Sequence, residues 1–246
     1  MYIWLYWENK PGRVIPPYIE LCHETIRHHC SGDFEVILTT PDNIRDYIPD
    51  AGPFEEIQNP NPAIRTAYIR VALLEKYGGI WMDSDIIVLK NFAPLKDLIQ
   101  RVGFVGFDKI SAGDNHVPNW MLMSLAGGKV ITEYKRRIDE AVEKKKKFPW
   151  GQLGARMITP IIREWANPGD YAIIDERIVS PIPWQREKIF FTDADPRRYI
   201  NDSTLSVMLF NNRFTDEFKE ESREKVLNSN TMIAKLFKLS GGVNER

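Results

Sequence analysis

The most constraining feature of this sequence is a block in which a helix, a glycine pair and a short apolar strand precede two aspartates. Residues 70–77 have the apolar spacing of a helix end, and Gly78-Gly79 stop the helix and let the chain turn. Ile80-Trp81-Met82 then form an apolar strand that ends at Asp83-Ser84-Asp85, and residues 86–89 are a second apolar run. The pattern predicts two carboxylates at the point where a buried strand leaves the core.

Two carboxylates at this spacing suit a hard divalent cation that carries a diphosphate. Mg²⁺ or Mn²⁺ needs few protein oxygens, because phosphate and water complete its coordination shell. The same residue types are also ordinary in a solvated turn. The helix, the glycine pair and the strand in front of Asp83-Ser84-Asp85 favour the cation site over the turn.

Composition limits the kind of partner that the chain can bind. With 246 residues, 43% of them hydrophobic, it is long enough for one domain with a full core. The formal net charge of -1 argues against a general polyanion binder, so nucleic acid is not an expected partner.

The cysteines and the apolar segments predict the compartment. Cys22 and Cys30 match no zinc or redox spacing and indicate reduced thiols. No apolar stretch approaches the ~20 residues that span a bilayer, and the first residues lack the basic start of a signal peptide. We expect a soluble cytoplasmic protein, at most peripheral at the inner face of the membrane.

Strands and helices alternate in the first half of the chain. Predicted strands cover residues 3–7 and 34–38 with a helix over 18–29 between them, and a long helix over 63–77 leads into the aspartates. A short helix with a proline in its first turn is expected after residue 39. The alternation predicts an α/β fold with a mostly parallel central sheet flanked by helices, in which ligands gather at the carboxyl ends of the strands.

The second half of the chain is less regular. A late strand is expected over 205–210, and a charged helix from Asp216 is followed by a second helical stretch. We predict one domain over residues 1–215 and a C-terminal helical extension, 216–246, that packs on it. The other predicted strands cover 104–107 and 120–123, and the other predicted helices cover 130–147 and 158–165.

Residues 70–89 resemble the core of the GT-A-type glycosyltransferases related to yeast initiation mannosyltransferases (glycosyltransferase family 32) and to bacterial capsular polysaccharide sugar transferases. Those proteins share a helix that ends in Arg, a Tyr-Gly-Gly-hydrophobic-aromatic run and an Asp-x-Asp motif. Weaker similarities, among them residues 4–7, 154–159 and 206–211, extend the resemblance over about residues 1–215. It implies a GT-A (Rossmann-like) fold with an irregular C-terminal half.

The resemblance also implies an activity. It is that of a metal-dependent glycosyltransferase, which moves a hexose from a nucleotide-diphosphate sugar to a glycan or lipid-linked acceptor in bacterial capsular polysaccharide synthesis. A UDP-sugar is the first expected donor and GDP-mannose the next, and the nearest family members retain the anomeric configuration. Mn²⁺ or Mg²⁺ would neutralise the leaving diphosphate as a Lewis acid.

The family's site residues and motifs map onto this sequence with three departures, at Ala67, Ala155 and Met208. By resemblance Asp85 binds the ion directly, while Asp83 contacts the ribose or the sugar, or helps to hold the ion through water. Met208 occupies the position of a late family histidine, a metal or phosphate ligand, and Asn211 is our candidate for the missing ligand. An ordinary turn residue is the alternative interpretation of that asparagine. Ala67 stands where the family has an aspartate that contacts the donor sugar.

Three further residues are predicted to bind the donor. Trp7, at the end of the first strand, is the expected stacking platform for the nucleobase, with a core aromatic as the alternative. Arg70 could hold sugar hydroxyls or phosphate through its fork of donors, or pair with Glu75 or Asp83 as part of the scaffold. Asn119 is predicted to hydrogen-bond the donor sugar.

Other segments are predicted to face the acceptor or a membrane. Asp108, Asp114 and His116 lie in a polar loop that suits the acceptor side. Lysines 144–147 and an apolar stripe near the C-terminus could meet anionic lipid around a lipid-linked acceptor, with a solvated helix end and a packed helix as the alternative. The apolar stripe consists of Met232, Ile233, Leu236 and Phe237.

Two other functions compete with the transferase. A non-catalytic, nucleotide-sugar-binding relative is suggested by Ala67 and Met208. A phosphatase of the haloacid dehalogenase type also has Asp-x-Asp after an apolar strand, but it needs Thr or Val where this chain has Ile87.

Overall fold

The computed structural model describes residues 1–49, 62–108, 116–144 and 147–243. The strands are β1 (Tyr2–Tyr6), β2 (Glu35–Thr39), β3 (Gly79–Met82), β4 (Ile86–Val88), β5 (Phe104–Asp108), β6 (Met121–Ser124), β7 (Ala172–Asp175) and β8 (Ser206–Met208). The helices are α1 (Pro17–Cys30), α2 (Ile44–Tyr47), α3 (Pro62–Tyr77), α4 (Lys96–Val102), α5 (Lys129–Lys144), α6 (Ala155–Pro160), α7 (Glu176–Val179), α8 (Asp216–Lys219), α9 (Arg223–Asn228) and α10 (Met232–Ser240).

The chain divides into two compact units. The first contains Met1–Glu8, Ile37–Asp83 and Pro94–Ile174, and the second contains Asn9–Val36, Ser84–Ala93 and Asp175–Arg246. The aspartate motif lies where the chain passes from one unit to the next, because Asp83 ends a segment of the first and Asp85 belongs to the second. The predicted boundary at residue 215 stays a prediction.

The first unit is built on a six-stranded sheet in the order β2-β1-β3-β6-β5-β7. β1 and β3 run parallel, with Ile3 opposite Ile80, whereas β6 is antiparallel to both β3 and β5. All four residues of β3 are buried, as the apolar run predicted. The helices α3 and α5 pack against each other in this unit. The predicted α/β class with a central sheet and flanking helices is confirmed.

The glycine pair between α3 and β3 is required by the backbone. Gly78 and Gly79 have φ values of 66° and 106°, in the left-handed region that side chains disfavour. A Cβ atom at Gly79 would lie 2.4 Å from the carbonyl oxygen of Tyr2. The close approach of β1 therefore allows no side chain at this position.

The second unit contains a two-stranded ladder of β4 and β8. The strands are antiparallel, with Ile86 opposite Met208. The helix α1 packs against β4, and Thr25 Oγ1 accepts a hydrogen bond from Val88 N–H at 2.9 Å. The apolar stripe of α10 is fully buried in this unit, so the packed-helix alternative is confirmed for it. Lys145 and Lys146 of the predicted lysine cluster lie outside the described residues.

Two predicted helices differ from the structure. Asn43 Oδ1 accepts a hydrogen bond from Thr40 N–H at 2.8 Å, and this closes a turn before α2. Pro41 lies in that turn, so its predicted place in the first turn of the helix is wrong. The single helix predicted over 158–165 is α6 followed by a π-helical turn, Ile161–Trp165, which begins directly after Pro160.

The C-terminal region also differs in detail from its prediction. The charged helix expected from Asp216 is two short helices, α8 and α9. Each begins at a side-chain cap, from Thr215 and Ser222 respectively. Among the helices of the described residues, none combines the length and the apolar character needed to cross a membrane.

Candidate active site

In the first unit, Asp83 is held by its neighbours through one carboxylate oxygen. Its N–H donates to the carbonyl oxygen of Trp120 at 2.8 Å, which continues the pairing of β3 with β6. Its Oδ1 accepts from Arg70 Nη2 at 2.7 Å and from Trp81 Nε1 at 2.8 Å. The side chain is 29% exposed, and Oδ2 has no hydrogen bond with any described residue. One oxygen is thus fixed, and the other is left for a ligand.

Arg70 is a buried cation with one ion-pair partner among the described residues. Its side chain is only 4% exposed, and its guanidinium carbon lies 4.9 Å from the centre of the Trp81 ring. Of the two scaffold partners predicted for it, the structure contains the pair with Asp83. Its Nε is buried and has no hydrogen-bond partner in the described part of the chain. The arginine orients the aspartate, and its predicted contact with the donor stays a prediction.

The end of β1 separates core aromatics from a partly exposed one. Trp4 and Tyr6 are buried, as expected, and Trp4 Nε1 donates to the carbonyl oxygen of Gly78 at 2.9 Å. Trp7 is half-buried, and its N–H donates to the carbonyl oxygen of Thr39 at 3.0 Å. This tryptophan is therefore not a core residue, and its stacking on a nucleobase stays a prediction.

Asn119 and Gly154 are neighbours in the first unit. The resemblance indicated them separately, with Gly154 as part of the 154–159 segment. A Cβ atom at Gly154 would lie 2.6 Å from Asn119 Nδ2, so a side chain at this position would displace the amide. In the same place the hydroxyl of Tyr134 donates to the carbonyl oxygen of Leu153 at 2.7 Å and to that of Gly154 at 3.3 Å. Burial raises the pKa of Tyr134, which keeps its hydroxyl a donor.

In the second unit, Asp85 is held by the main chain. Its carbonyl oxygen accepts from Leu209 N–H at 2.9 Å, which extends the ladder of β4 and β8. Its Oδ2 accepts from Asn211 N–H at 2.6 Å, and the residue is 7% exposed. Asn211, the candidate for the missing ligand, therefore lies beside Asp85. Met208 is buried in β8, opposite Ile86.

The side-chain oxygen atoms of Asp85 and Asn211 are of a type that suits a hard cation better than a soft one. A carboxylate and a side-chain amide, from Asp85 and Asn211, are the ligand types that Mg²⁺ and Mn²⁺ take. Among the described residues, no cluster of three or more His, Cys, Asp or Glu side chains could hold a metal ion. A cation bound here would need phosphate and water to complete its shell.

The described residues that were predicted for the acceptor side, Asp108 and His116, do not form a common site in the structure. Asp108 lies 3.9 Å from Arg163, and both side chains are exposed. His116 is exposed, and Asp114 lies outside the described residues. Trp81 was not predicted as a partner of Asp83, although an aromatic residue two positions before the aspartate was a usable signal.

A family model described as "Capsular polysaccharide synthesis protein" matches residues 1–149. The chain belongs to that family. The match includes the predicted donor residues and both aspartates of the motif. Asn211 lies beyond the matched residues.

The curated relatives that this chain matches include glycosyltransferases. Lactosylceramide 4-alpha-galactosyltransferase of Rattus norvegicus is 28% identical over 163 residues, which are 58% of this chain and 39% of the relative. The Homo sapiens protein of the same name is 24% identical over 162 residues, 58% of this chain and 40% of its own. The match thus spans about two-fifths of the length of these relatives.

Solved structures show the fold of the family member. The glycosyltransferase GlyE of Streptococcus pneumoniae TIGR4 gives a TM-score of 0.52 at 12% identity, over 97% of this chain and 63% of GlyE. The galactosyltransferase LgtC, solved with donor and acceptor sugar analogs, gives 0.51 at 13% identity, over 100% of this chain and 98% of LgtC. The predicted GT-A fold is therefore confirmed. The comparisons favour the glycosyltransferase over the haloacid dehalogenase alternative.

Proposed function

We propose that this protein is a metal-dependent glycosyltransferase that moves a hexose from a UDP-sugar to a glycan or lipid-linked acceptor in bacterial surface polysaccharide synthesis. Family membership and the GT-A fold support the transferase class. The observation that carries the proposal is the setting of Asp83, which has Oδ1 fixed by two donors and Oδ2 without a hydrogen bond to a described residue. A preorganised carboxylate of this kind is suited to bind a ligand at the end of β3.

In the first unit, the proposed donor residues have separate tasks. Asp83 accepts a hydrogen bond from a hydroxyl of the ribose or the sugar through Oδ2. Trp7 stacks on the uracil, which base–aromatic contacts favour by ~1–3 kcal/mol. Asn119, fixed against Gly154, donates to the sugar. Arg70 holds Asp83 and supplies positive charge beside it.

In the second unit, Asp85 and Asn211 are the proposed ligands of Mn²⁺ or Mg²⁺. The Oδ1 atom of Asn211 accepts one hydrogen bond from Tyr18 and has a second lone pair for the ion. A role of Asp83 in helping to hold an ion through water stays a prediction from the sequence. When bound, the ion supplies a positive charge that stabilises the leaving diphosphate.

The matched relatives support the stereochemistry and the acceptor. Their names specify transfer of galactose in an α linkage to lactosylceramide, a lipid-linked sugar. Transfer from an α-linked donor such as UDP-galactose to give an α product retains the anomeric configuration. We therefore propose retention, a lipid-linked or glycan acceptor, and transient peripheral contact with the inner membrane, where such acceptors are found.

The first experiment is thermal unfolding of the full chain with UDP, GDP or CMP, each with Mn²⁺ and with EDTA. A ligand at a hundredfold excess over its Kd stabilises the fold by about 2.7 kcal/mol. We expect stabilisation by UDP that needs Mn²⁺ and is lost in Asp85→Asn but kept in Asp42→Asn, which changes an exposed aspartate elsewhere. Stabilisation by no nucleotide would contradict the proposal.

The same protein samples separate the catalytic from the non-catalytic relative. Release of UDP from UDP-galactose or UDP-glucose that depends on a lipid-linked acceptor, with the sugar recovered on that acceptor, shows transfer. Nucleotide binding that depends on Mn²⁺, without release of UDP with any acceptor, would indicate the non-catalytic relative suggested by Ala67 and Met208.

A further inference from the structure

Tyr18 is a buried hydroxyl whose position links two distant parts of the second unit. It lies in the first turns of α1 and is fully buried. Its hydroxyl donates to Oδ1 of Asn211, a residue 193 positions later in the chain. Because the amide oxygen is engaged by this donor, the rotation of the Asn211 side chain is fixed.

The ring of Tyr18 is itself held in place. Its centre lies 5.6 Å from that of Phe214 and 5.1 Å from that of Phe218, distances at which aromatic rings attract. With the ring held on both sides, the hydroxyl is directed at one acceptor, Oδ1 of Asn211.

The segment that Tyr18 holds also orients Asp85. Phe210, the residue before Asn211, has φ 62° and ψ 54°, a left-handed conformation that a residue with a side chain adopts only when its surroundings hold it. In this conformation the main-chain N–H of Asn211 donates to Asp85 Oδ2 at 2.6 Å. The side chain of Asn211 thus accepts a hydrogen bond from Tyr18 while its main-chain N–H donates to Asp85.

We propose that Tyr18 is a positioning residue for the divalent cation, because its hydroxyl holds Asn211 in the orientation that presents the amide oxygen and the Asp85 carboxylate to the ion. The inference rests on the proposed function, since it assigns the ion to these two ligands. Tyr18 does not touch the ion and acts only through Asn211.

The test is Mn²⁺ binding to the 246-residue chain in the presence of UDP, measured through the electron paramagnetic resonance signal of free Mn²⁺. Tyr18→Phe removes the hydroxyl and keeps the ring. We expect Mn²⁺ to bind about fivefold more weakly, the effect of one neutral hydrogen bond. The matched control is Tyr77→Phe, which removes a hydroxyl that donates to Tyr47 at 2.8 Å in the first unit, and Mn²⁺ affinity should not change.

A double-mutant cycle separates positioning from a general structural role. Asn211→Ala removes both the proposed ligand and the acceptor of Tyr18, so it should weaken Mn²⁺ binding more than Tyr18→Phe does. In the Asn211→Ala background, Tyr18→Phe should cause no further loss. The same fivefold loss in both backgrounds would overturn the proposal.

Two further outcomes keep this inference distinct from the proposed function. If Asp85→Asn binds Mn²⁺ as well as the unchanged protein does, the proposed metal site is wrong. If Asp85→Asn abolishes binding but Asn211→Ala leaves it unchanged, the metal site stands and the role of Tyr18 is wrong, even if Tyr18→Phe fails to fold.

Discussion

Asp83 and Asp85 are two residues apart, yet the protein fixes their carboxylates in opposite ways. In the first unit, Asp83 is partly exposed and is held by two side chains, Arg70 and Trp81. In the second unit, Asp85 is buried and is held by the main-chain N–H of Asn211. Two carboxylates separated by only one residue are therefore held independently. A charged side chain orients the first, and the path of the backbone orients the second.

The largest expected difference between the two aspartates is in catalysis. Asp85→Asn should lower the rate of sugar transfer by about a thousandfold, because the charge that holds the cation is lost. Asp83→Asn should keep measurable Mn²⁺ affinity but bind the donor weakly. Transfer rates and Mn²⁺ titrations of the two variants give the comparison, with Asp42→Asn as the control. Equal Mn²⁺ affinity in the two aspartate variants would remove the distinction between them.

The glycine at position 79, four residues before Asp83, should tolerate no side chain. Gly79→Ala should lower the free energy of unfolding by about 4 kcal/mol, because the new methyl group would meet the main chain of β1. Gly169 is a matched control, with φ 104° and no atom within 4 Å of the position that a Cβ would take, and its change to Ala should cost about 2 kcal/mol. Urea unfolding measures both values. Equal losses would mean that backbone strain alone, without the contact to β1, accounts for the effect.

The free energy of unfolding should show the opposite order, with a larger loss in Asp83→Asn than in Asp85→Asn. Asp83→Asn leaves the buried Arg70 cation without its partner and should cost about 2 kcal/mol, reduced from the fully buried case because Asp83 is partly exposed. Asp85→Asn should cost about 1 kcal/mol, since asparagine keeps the shape of the side chain and an oxygen that can accept from the main chain of Asn211. Urea unfolding at neutral pH tests this difference. If Arg70→Met in the Asp83→Asn background restores stability, the loss came from the unpaired cation.

Mild acid should act on the second unit through His23. Burial, and then the nearby Arg27 cation, lower the pKa of His23 from 6.5 to about 4. The unfolded chain therefore binds a proton before the folded one does, so stability is lost as pH falls from about 6.5 to about 4. At pH 5 the loss is about 2 kcal/mol. His23→Leu should remove this part of the acid dependence, whereas His28→Gln, on an exposed residue, should leave it unchanged.

The local signals in the sequence predicted the path into the motif accurately. Helical spacing, the glycine pair and the apolar run located α3, the turn and β3, because each depends on neighbouring residues only. The weaker elements α4 and β7 were missed. All residues of β7 are partly exposed and the strand lies at the edge of the sheet, so its sequence lacks the apolar run of a buried strand.

The sequence by itself determined the fold class and the position of both aspartates, because periodicity and glycine conformation are local properties. The role of Arg70 was left between ligand and scaffold, and only the folded structure showed its pair with Asp83. The contact of Tyr18 with Asn211 was decided by tertiary structure alone. Those residues are 193 positions apart, and no local signal records which distant donor will meet an amide oxygen once the chain has packed.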